Sequence, residues 1–486
     1  MFARRMVYSL GIACLLALAS AHAAPKQVMV HYMPWFVAKP YSGSWGWHWT
    51  MNHFNPDTLN GSGERNIASW YYPLIGPYDS ADPVVLEYHA LLMKLGGIDG
   101  VIVDWYGMDN YLDYGLNEQR TAALYPWIAK AGLKFSLCYE DATIQQEVNG
   151  GYITSAGALT HAQQTMLFAQ TNFFDGPAFL RWSNQPVLLN FGPQYFKMNS
   201  QWQSIFSVLD ATNQPAFFTE DNRLPVGAGA FDWPPMYLSQ TNNGVLASDA
   251  LESYLLGFQV QGGFWPAFIS SAFPRFHDIY AQAGVGVSYG YLDDQSGDTL
   301  RATLGRAVTN SSTFVQVVTW NDYGEGTIVE PTVDYGFRDL GIIQDYRRQF
   351  LDSTFPYHTN DLTLALRLYN LRRTYAGKSL AAAEMDRAFS NIVSGNLAIA
   401  NLQLGGLEAG RPVLYNLSSN GNQVQFTIGG YISAAGVQLQ TSSSGSFPSN
   451  WQTGTTIPAT TNTMVITAPV SADASACFFR IQNAGL

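Results

Sequence analysis

Short apolar runs recur along the first two-thirds of the chain, and amphipathic segments separate them. A near-continuous apolar run is typical of a strand buried on both faces, and helices between such runs imply parallel pairing. Eight strands of this kind are predicted, at residues 27–32, 100–105, 134–139, 186–190, 215–219, 229–233, 264–270 and 314–319. Eight strand–helix units over about 320 residues predict an α/β fold of the (β/α)8 TIM barrel type.

The clearest helix prediction lies between the first two strands. Asp82 followed by Pro83 is a typical N-cap with proline at the first helical position. Leu91 and Leu95 lie on its apolar face, and Gly96-Gly97 is a typical stop. The segment therefore predicts a helix that packs against the barrel.

The hydrophobic pattern and the composition of the chain change twice in its last third. Leu364, Leu368 and Leu371 recur at helical spacing, so residues 359–401 are predicted to form helices that close or link the barrel. From residue 402 the content of Gly, Ser, Thr and Asn rises and short alternating runs appear. A small all-β sandwich is therefore predicted over residues 402–486, after a barrel domain at 24–358.

The N-terminus has the pattern of a secretory signal peptide at residues 1–23. Arg4 and Arg5 precede a short apolar stretch, and Ala21-His22-Ala23 matches a cleavage site. The apolar stretch is too short for a membrane-spanning helix. We therefore expect a secreted or periplasmic protein with no membrane association.

Composition narrows the possible partners. With 486 residues and 47% hydrophobic residues, the chain can bury a large core. The net charge of -11 disfavours nucleic acid and anionic membrane surfaces. Only Cys138 and Cys477 follow the predicted cleavage site, and two free thiols are expected instead of a disulfide. The mature protein is expected to be a monomer.

Two carboxylates lie three residues apart where the eighth predicted strand ends. Asp322 and Glu325 belong to the segment 320–331, which contains glycines and aromatic residues. Cleavage of a sugar linkage needs one carboxyl group that keeps its proton near neutral pH and a second that stays ionised. Acidic residues in such turns often only cap a helix or face water, so this pair alone leaves both interpretations open.

The other strand ends favour a cleft. Carboxyl ends of barrel strands meet on one face, which is where TIM-barrel enzymes carry their active sites. Six more of the predicted strands end in a polar or acidic side chain, namely His31, Asp104, Glu140, Asn190, Glu220 and Asp232. Asp322 and Glu325 are therefore predicted to be the catalytic residues of this face.

Four ordered motifs lie within residues 28–349, namely HYMPW at 31–35, YYPLIGPY at 71–78, GIDG at 97–100 and WNDYGEGTIVEP at 320–331. Together they resemble glycoside hydrolase family 99, which contains endo-α-mannosidases and endo-α-mannanases. The Asp-Tyr-Gly-Glu core is closer to family 71, the α-1,3-glucanases. The resemblance implies a (β/α)8 barrel and a hydrolase that acts on polysaccharide without a cofactor.

The resemblance also implies roles for the two acids. Glu325 matches the family 99 glutamate that acts as acid and base on the glycosidic oxygen. Asp322 stands where that family has a second glutamate, which assists the sugar's own 2-hydroxyl and gives retention. Aspartate is one methylene shorter and leaves room for a water, so inversion with Asp322 as general base is the alternative. Glu330 is expected to hold the segment through hydrogen bonds.

Six further side chains are predicted to bind the sugar. Asp104 and Glu140 are expected to bind hydroxyl groups or to tune the catalytic pKa values. The aromatic members can stack on sugar rings, with a place in the core as the alternative for each: Tyr32, Trp35, Trp105 and Tyr323. No spaced cluster of His, Cys and carboxylates is found, so neither a metal nor a cofactor is expected.

The sequence thus predicts a secreted glycoside hydrolase that cleaves internal α-glycosidic bonds of an α-mannan-like polysaccharide. A family 71-like inverting α-1,3-glucanase is one alternative. A non-catalytic glycan-binding barrel is another, and the presence of both Asp322 and Glu325 argues against it.

Overall fold

The computed structural model describes residues 26–241, 244–420, 422–442, 451–459, 464–470 and 477–484. The predicted signal peptide lies outside these ranges and stays a prediction. Among the described helices, none has the length and apolar character needed to cross a bilayer.

Eight parallel strands close into a barrel, which confirms the predicted fold. Neighbouring strands pair in chain order, and β1 also pairs with β8, where Gln27 lies opposite Phe314. The strands are β1 Gln27–Tyr32, β2 Gly100–Trp105, β3 Lys134–Tyr139, β4 Gln185–Asn190, β5 Ala216–Glu220, β6 Gly229–Phe231, β7 Ile269–Ala272 and β8 Phe314–Val317.

Helices cover the outside of the barrel, with one departure from the regular pattern. Strands β5 and β6 are joined by residues 221–228, which contain no helix. The helices of this layer are α1 Pro83–Gly96, α2 Tyr114–Lys130, α3 Ala142–Asn149, α4 Ala158–Ala169, α5 Asn199–Phe206, α6 Ser248–Gly262, α7 Asp298–Thr309 and α8 Arg338–Tyr346.

Helix α1 begins and ends as predicted. The Asp82 side chain accepts a hydrogen bond from the Val84 N–H at 3.0 Å, and Gly97 adopts the left-handed conformation with φ 82°.

Short elements lie between the barrel strands and the main helices. The α-helices among them are Lys39–Ser42, Trp47–Thr50 and Tyr280–Ala283, and the strands are Arg181–Trp182, Phe276–His277 and Tyr291–Leu292. The short helical segments of other types are Gln170–Phe174, Ala211–Asn213, Met236–Thr241, Gln295–Gly297, Arg347–Leu351 and Thr359–Leu362.

Three predicted strand boundaries are wrong, and the strand predicted at 314–319 is one of them because it ends at Val317. The strand predicted at 264–270 begins only at Ile269, because Phe264 is 86% exposed and Pro266 has no N–H to donate to a ladder. The strand predicted at 229–233 ends at Phe231. The following Asp232 uses its carboxylate to accept a hydrogen bond from the Ser271 N–H.

Side chains along each strand alternate between the barrel interior and the helical layer. In β2, Val101, Val103 and Trp105 belong to the large apolar cluster beneath the helices, whereas Ile102 belongs to the cluster inside the barrel. The two-residue period of a strand therefore directs Asp104 toward the interior.

Three more helices follow the barrel and pack on it. These are α9 Thr363–Thr374, α10 Ser379–Val393 and α11 Leu397–Glu408. Leu364 of α9 shares one apolar cluster with Leu91 of α1, and the Arg372 guanidinium binds both carboxylate oxygens of Glu87 at 2.9 and 2.6 Å. The predicted helical segment is thus part of the barrel's own core.

The C-terminal part contains two three-stranded antiparallel sheets, and apolar side chains of both sheets share one small cluster. The first sheet starts at residue 412, ten residues later than predicted, because α11 runs to Glu408. Cys138 and Cys477 are both free, as expected. The strands are β9 Pro412–Asn420, β10 Gln423–Gly430, β11 Val437–Ser442, β12 Gln452–Ile457, β13 Met464–Pro469 and β14 Phe478–Asn483.

A buried arginine connects the segment after β8 to the helical layer. Arg275 is 1% exposed, and its Nη1 donates to the Ile328 carbonyl at 2.8 Å. Its Nη2 forms an ion pair with Asp339 of α8, and its guanidinium lies 3.8 Å from the ring centre of Tyr335. This side chain therefore joins the acidic segment to the scaffold.

Arg275→Met is expected to lower the free energy of unfolding by about 1.5–3 kcal/mol, because Asp339 keeps Arg338 but loses its buried arginine partner, and the Ile328 carbonyl loses its donor. Arg301→Met is the matched control. Its ion pair with Asp298 is exposed (43% and 72%), so a loss of at most about 1 kcal/mol is expected. Urea unfolding followed by tryptophan fluorescence measures both, and equal losses would contradict the assignment.

Candidate active site

The two predicted catalytic acids lie together beyond the carboxyl end of β8. Asp322 is buried, and its Oδ1 accepts a hydrogen bond from the Glu325 N–H at 3.0 Å. The Asp322 N–H donates to the Thr319 hydroxyl at 2.8 Å. Glu325 is half-buried, and the Tyr280 hydroxyl donates to its Oε1 at 3.3 Å. One carboxylate is thus held by the backbone turn and the other by a side chain.

Asn321 fixes the turn to the exit of β1. Its Oδ1 accepts from the Met33 N–H at 2.8 Å and its Nδ2 donates to the Met33 carbonyl at 2.9 Å. Gly326 has φ 75°, and a Cβ there would lie 2.7 Å from the His277 carbonyl oxygen. Glycine is therefore required at this position of the turn.

A buried hydrogen-bond network lies behind the acids and centres on Glu330. Its Oε2 accepts from the hydroxyls of Tyr78 at 2.7 Å and Tyr323 at 3.0 Å, and its Oε1 lies 2.9 Å from His89 Nε2. The other ring nitrogen of His89, Nδ1, is 3.0 Å from the Tyr32 hydroxyl. Glu330 thus holds the segment by hydrogen bonds, as predicted.

This network corrects two predicted sugar contacts. Tyr32 and Tyr323 are fully buried, and both hydroxyls are used in the network. Their rings therefore present no surface to a sugar. They support the catalytic segment instead of lining subsites.

Trp105 is also in the core, on the opposite side of the barrel wall from Asp104. Its ring packs against Tyr139 and Phe173, and its Nε1 donates to Glu118 at 2.5 Å. The prediction of a sugar contact fails here because the strand alternates, so that neighbours point to opposite faces.

Trp35 is half-buried and remains available at the mouth of the barrel. It stacks on His48 with ring centres 4.3 Å apart, and Tyr106 lies 6.1 Å away. Burial raises the pKa of Tyr106, and the charges of Asp104, Glu140 and Asp322 raise it further. Trp35 and Tyr106 therefore form an aromatic wall beside the acids.

Asp104 and Glu140 lie within electrostatic reach of Asp322 and Glu325. Burial and the charge of Glu140 raise the pKa of Asp104 well above its usual range, and Asp322 and Glu325 add to the effect. Burial raises the pKa of Glu140 to about 7, and the charge of Asp141 adds to it. The protonated Asp104 carboxyl can donate a hydrogen bond to Glu140, which stabilises that carboxylate.

Glu220 is a further member of this acidic site. The sequence identifies it only as a polar strand end and assigns it no role. It is half-buried at the end of β5, and burial together with the charges of Asp221 and Glu140 raises its pKa to about 8. Strand parity is the signal that could have found it. Ala216 and Phe218 face the barrel interior, so Glu220 continues that face.

Other polar strand ends are structural. The Asp141 carboxylate accepts hydrogen bonds from three consecutive N–H groups of residues 194–196, each at 2.8 Å. The Asn190 amide donates to the Tyr139 carbonyl at 2.7 Å. His31 is buried with its ring edge against Trp233, and burial lowers its pKa to about 3, so it is neutral.

The environments of Asp322 and Glu325 separate their pKa values. Burial raises the pKa of Asp322 to about 6, while hydrogen bonds from the Glu325 and Gly324 N–H groups limit the rise. Burial and the Asp322 charge raise the pKa of Glu325 well above its usual range. Near neutral pH, Asp322 is therefore ionised and Glu325 holds a proton, which is the division of roles that glycosidic cleavage requires.

Curated relatives match a limited part of the chain. Glycoprotein endo-alpha-1,2-mannosidase of Mus musculus is 29% identical over 115 residues, which is 22% of this chain and 24% of the relative. A glycoprotein endo-alpha-1,2-mannosidase-like protein of Danio rerio is 31% identical over 94 residues, 18% of this chain and 21% of the relative. The chain thus matches about a quarter of the length of these relatives, and no family model matches it.

A solved structure extends the likeness across the barrel. The glycoside hydrolase family 99 endo-alpha-mannosidase of Bacteroides thetaiotaomicron aligns with a TM-score of 0.50 and 18% identity, covering 67% of this chain and 99% of that chain. At this identity the likeness shows the shared fold. The matched relatives and the shared fold agree with the resemblance to glycoside hydrolase family 99.

The raised pKa values predict how stability depends on pH. A glutamate in an unfolded chain titrates near pH ~4.3, whereas Glu220 in the folded protein keeps its proton up to about pH 8. The folded state therefore binds more protons than the unfolded state between these values, and stability falls as the pH rises through them.

Glu220→Gln is expected to raise the melting temperature at pH ~8.5 and to change it little at pH ~4, where both states are protonated. Differential scanning calorimetry at the two pH values measures the difference. Glu252→Gln, with a 60% exposed side chain on α6, is the control and should show no such dependence. A Glu220→Gln variant that is destabilised at the higher pH would contradict the reading of this site.

Proposed function

We propose that this chain is an exported glycoside hydrolase that cleaves internal α-glycosidic bonds of an α-mannan-like polysaccharide. The main support for the proposal is that Asp322 and Glu325 lie together at the mouth of the barrel. Their surroundings give the two carboxyl groups different pKa values. Export is inferred from the N-terminal sequence pattern. The sequence similarity to endo-alpha-1,2-mannosidases supports the α-mannosidic linkage.

Glu325 acts as the general acid in this proposal. Its proton is retained near neutral pH and would be transferred to the glycosidic oxygen as the bond breaks. The Tyr280 hydroxyl, 3.3 Å from Oε1, orients the carboxyl group and stabilises the carboxylate that remains. Proton donation from a buried acid is favourable because the product carboxylate then accepts this hydrogen bond.

Asp322 acts as the base, either on a water molecule or on the sugar's 2-hydroxyl. It stays ionised because two backbone N–H groups point at its carboxylate. Asp104, Glu140 and Glu220 surround the pair and supply acceptors and shared protons for the sugar hydroxyls. Burial and the charges of Asp322, Asp278 and Glu140 raise the pKa of Glu325, so Glu140 assists the acid at a distance.

The shorter side chain of Asp322 favours a second candidate within the same reaction class. A carboxylate that lies further from the ring leaves room for a water and inverts the anomeric centre, as expected for an α-1,3-glucanase-like enzyme. Proton NMR of the first-formed product distinguishes the two, because a retained α-anomer requires an intermediate and a β-anomer requires direct attack by water.

Asp322→Asn and Glu325→Gln are each expected to reduce kcat on a linear α-mannan by at least about 100-fold, because each removes one half of the acid–base pair. Product release from a panel of α-mannans and α-glucans measures the effect. Glu252→Gln is again the control and should keep full activity. Circular dichroism verifies that the variants fold.

Near wild-type turnover of either variant on a cleaved substrate would exclude its catalytic role. Binding of a glycan without cleavage by the wild-type protein, across the whole panel, would favour the glycan-binding alternative. An α-glucan cleaved in preference to every α-mannan would move the specificity to the second candidate while leaving the two acids in place.

The rate should depend on pH in a bell shape. kcat/KM is expected to fall as the pH drops below about 6, because Asp322 becomes protonated, and to fall again at higher pH as Glu325 loses its proton. An activated aryl glycoside needs no acid on its leaving group, so Glu325→Gln should lose the upper limb with that substrate. A profile without the lower limb would contradict the role of Asp322.

A further inference from the structure

A second cluster of ionisable side chains lies outside the acidic cleft. Asp109 follows β2, Glu147 belongs to α3 and His161 belongs to α4. One possible ligand atom from each residue lies within 4.8 Å of the other two. No local sequence pattern predicts this group, because its members come from three elements and are far apart along the chain.

The three side chains converge, but their contacts are incomplete. His161 Nε2 lies 2.6 Å from Asp109 Oδ2 and 3.6 Å from Glu147 Oε2. The Glu147 side chain is 1% exposed, and its Oε2 has no hydrogen-bond partner among the described residues. An ordinary histidine–aspartate pair explains the first contact and leaves the buried Glu147 oxygen without a function.

Two carboxylates face a single histidine in this cluster. No lysine or arginine among the described residues forms an ion pair with Asp109 or Glu147. A buried polar atom without a partner costs free energy, and two neighbouring carboxylates add repulsion.

Aromatic rings and partial solvent access surround the cluster. The rings of Tyr114 and Tyr152 pack on Tyr111, with centre distances of 5.7 Å and 5.2 Å. The side chains of Asp109 and His161 are still 12% and 13% exposed, so the ligand atoms can be reached from solvent.

We propose that Asp109, Glu147 and His161 bind one divalent transition-metal ion of the Zn²⁺ class. One imidazole nitrogen and two carboxylate oxygens are a donor set that zinc accepts, whereas Ca²⁺ and Mg²⁺ prefer oxygen donors alone. Bound metal would replace the proton between His161 and Asp109, and it would give the Glu147 Oε2 a partner. A water molecule would complete a tetrahedral shell.

The position of this site gives it a structural role near the cleft. Asp109 lies three residues after Tyr106, which forms part of the aromatic wall, and α3 directly follows Glu140 and Asp141. A metal ion would therefore tie the loop after β2 to the two helices after β3. Loops held in this way keep the cleft's aromatic wall in place.

Untagged protein, stripped with a chelator and then dialysed, allows a direct test with Zn²⁺ alone. Isothermal titration calorimetry is expected to give one Zn²⁺ per chain, and metal analysis after dialysis should give the same ratio. Zn²⁺ should also raise the melting temperature, because the ion binds only the folded arrangement. His161→Gln and Glu147→Gln are each expected to weaken binding at least 10-fold and to remove the thermal shift.

His53→Gln is the matched control, because His53 is an exposed histidine outside the cluster and should leave binding unchanged. X-ray absorption at the zinc edge supplies a readout independent of variant folding. It should show one imidazole and only oxygen ligands at about 2.0–2.1 Å. Binding below half an equivalent, binding unchanged by both cluster variants, or a sulfur shell would each overturn the proposal.

Discussion

Crowding of carboxylates at the mouth of the barrel is the constraint on which the site depends. Asp104, Glu140, Glu220, Asp322 and Glu325 act on one another, and no described lysine or arginine forms an ion pair with any of them. Burial and like charge both penalise ionisation, so the group must share a limited number of charges. Backbone N–H groups decide the distribution, because they stabilise a carboxylate at Asp322 and at no comparable position on Glu325.

These five carboxylates stay close together only if the surrounding structure is rigid. Asn321 binds the turn to β1, Glu330 binds it to three hydroxyl and imidazole groups behind it, and Arg275 binds the following residues to α8. These contacts are buried and directional, so the carboxylates cannot move apart to relieve their repulsion. The aromatic residues around Glu330 thus help to keep the charged groups close together.

The sequence predicted the barrel, the acidic pair and the helix α1 because strong local signals define them: apolar runs, a capped helix and a pair of acids after a strand. It failed for Tyr32 and Trp105, since a strand buried on both faces gives no hydrophobic contrast between its two sides. It failed for Tyr323 because the burial of that side chain against Glu330 is set by tertiary packing. The alternation of side chains along each strand would have predicted which of these residues point into the barrel. Ile102 and Cys138 face the interior, so Asp104 and Glu140 follow them inward and Trp105 must point outward. The joining of Asp109, Glu147 and His161 depends on tertiary packing and has no local signature.

The helices after the barrel have a consequence for how such a chain can be rearranged in evolution. One apolar cluster runs without interruption from Val28 in β1 to Leu407 in α11. A recombination point near residue 358 would divide that cluster and expose apolar surface on both pieces, with a penalty of about 25 cal/mol per Å² of exposed apolar surface. A point between Glu408 and Pro412 falls between this cluster and the separate apolar cluster of the sheets, and it breaks contacts such as the stacking of Tyr375 on Tyr431. The unit that can be inherited as one module is therefore the barrel together with its three trailing helices, and the β-sheets are the exchangeable part.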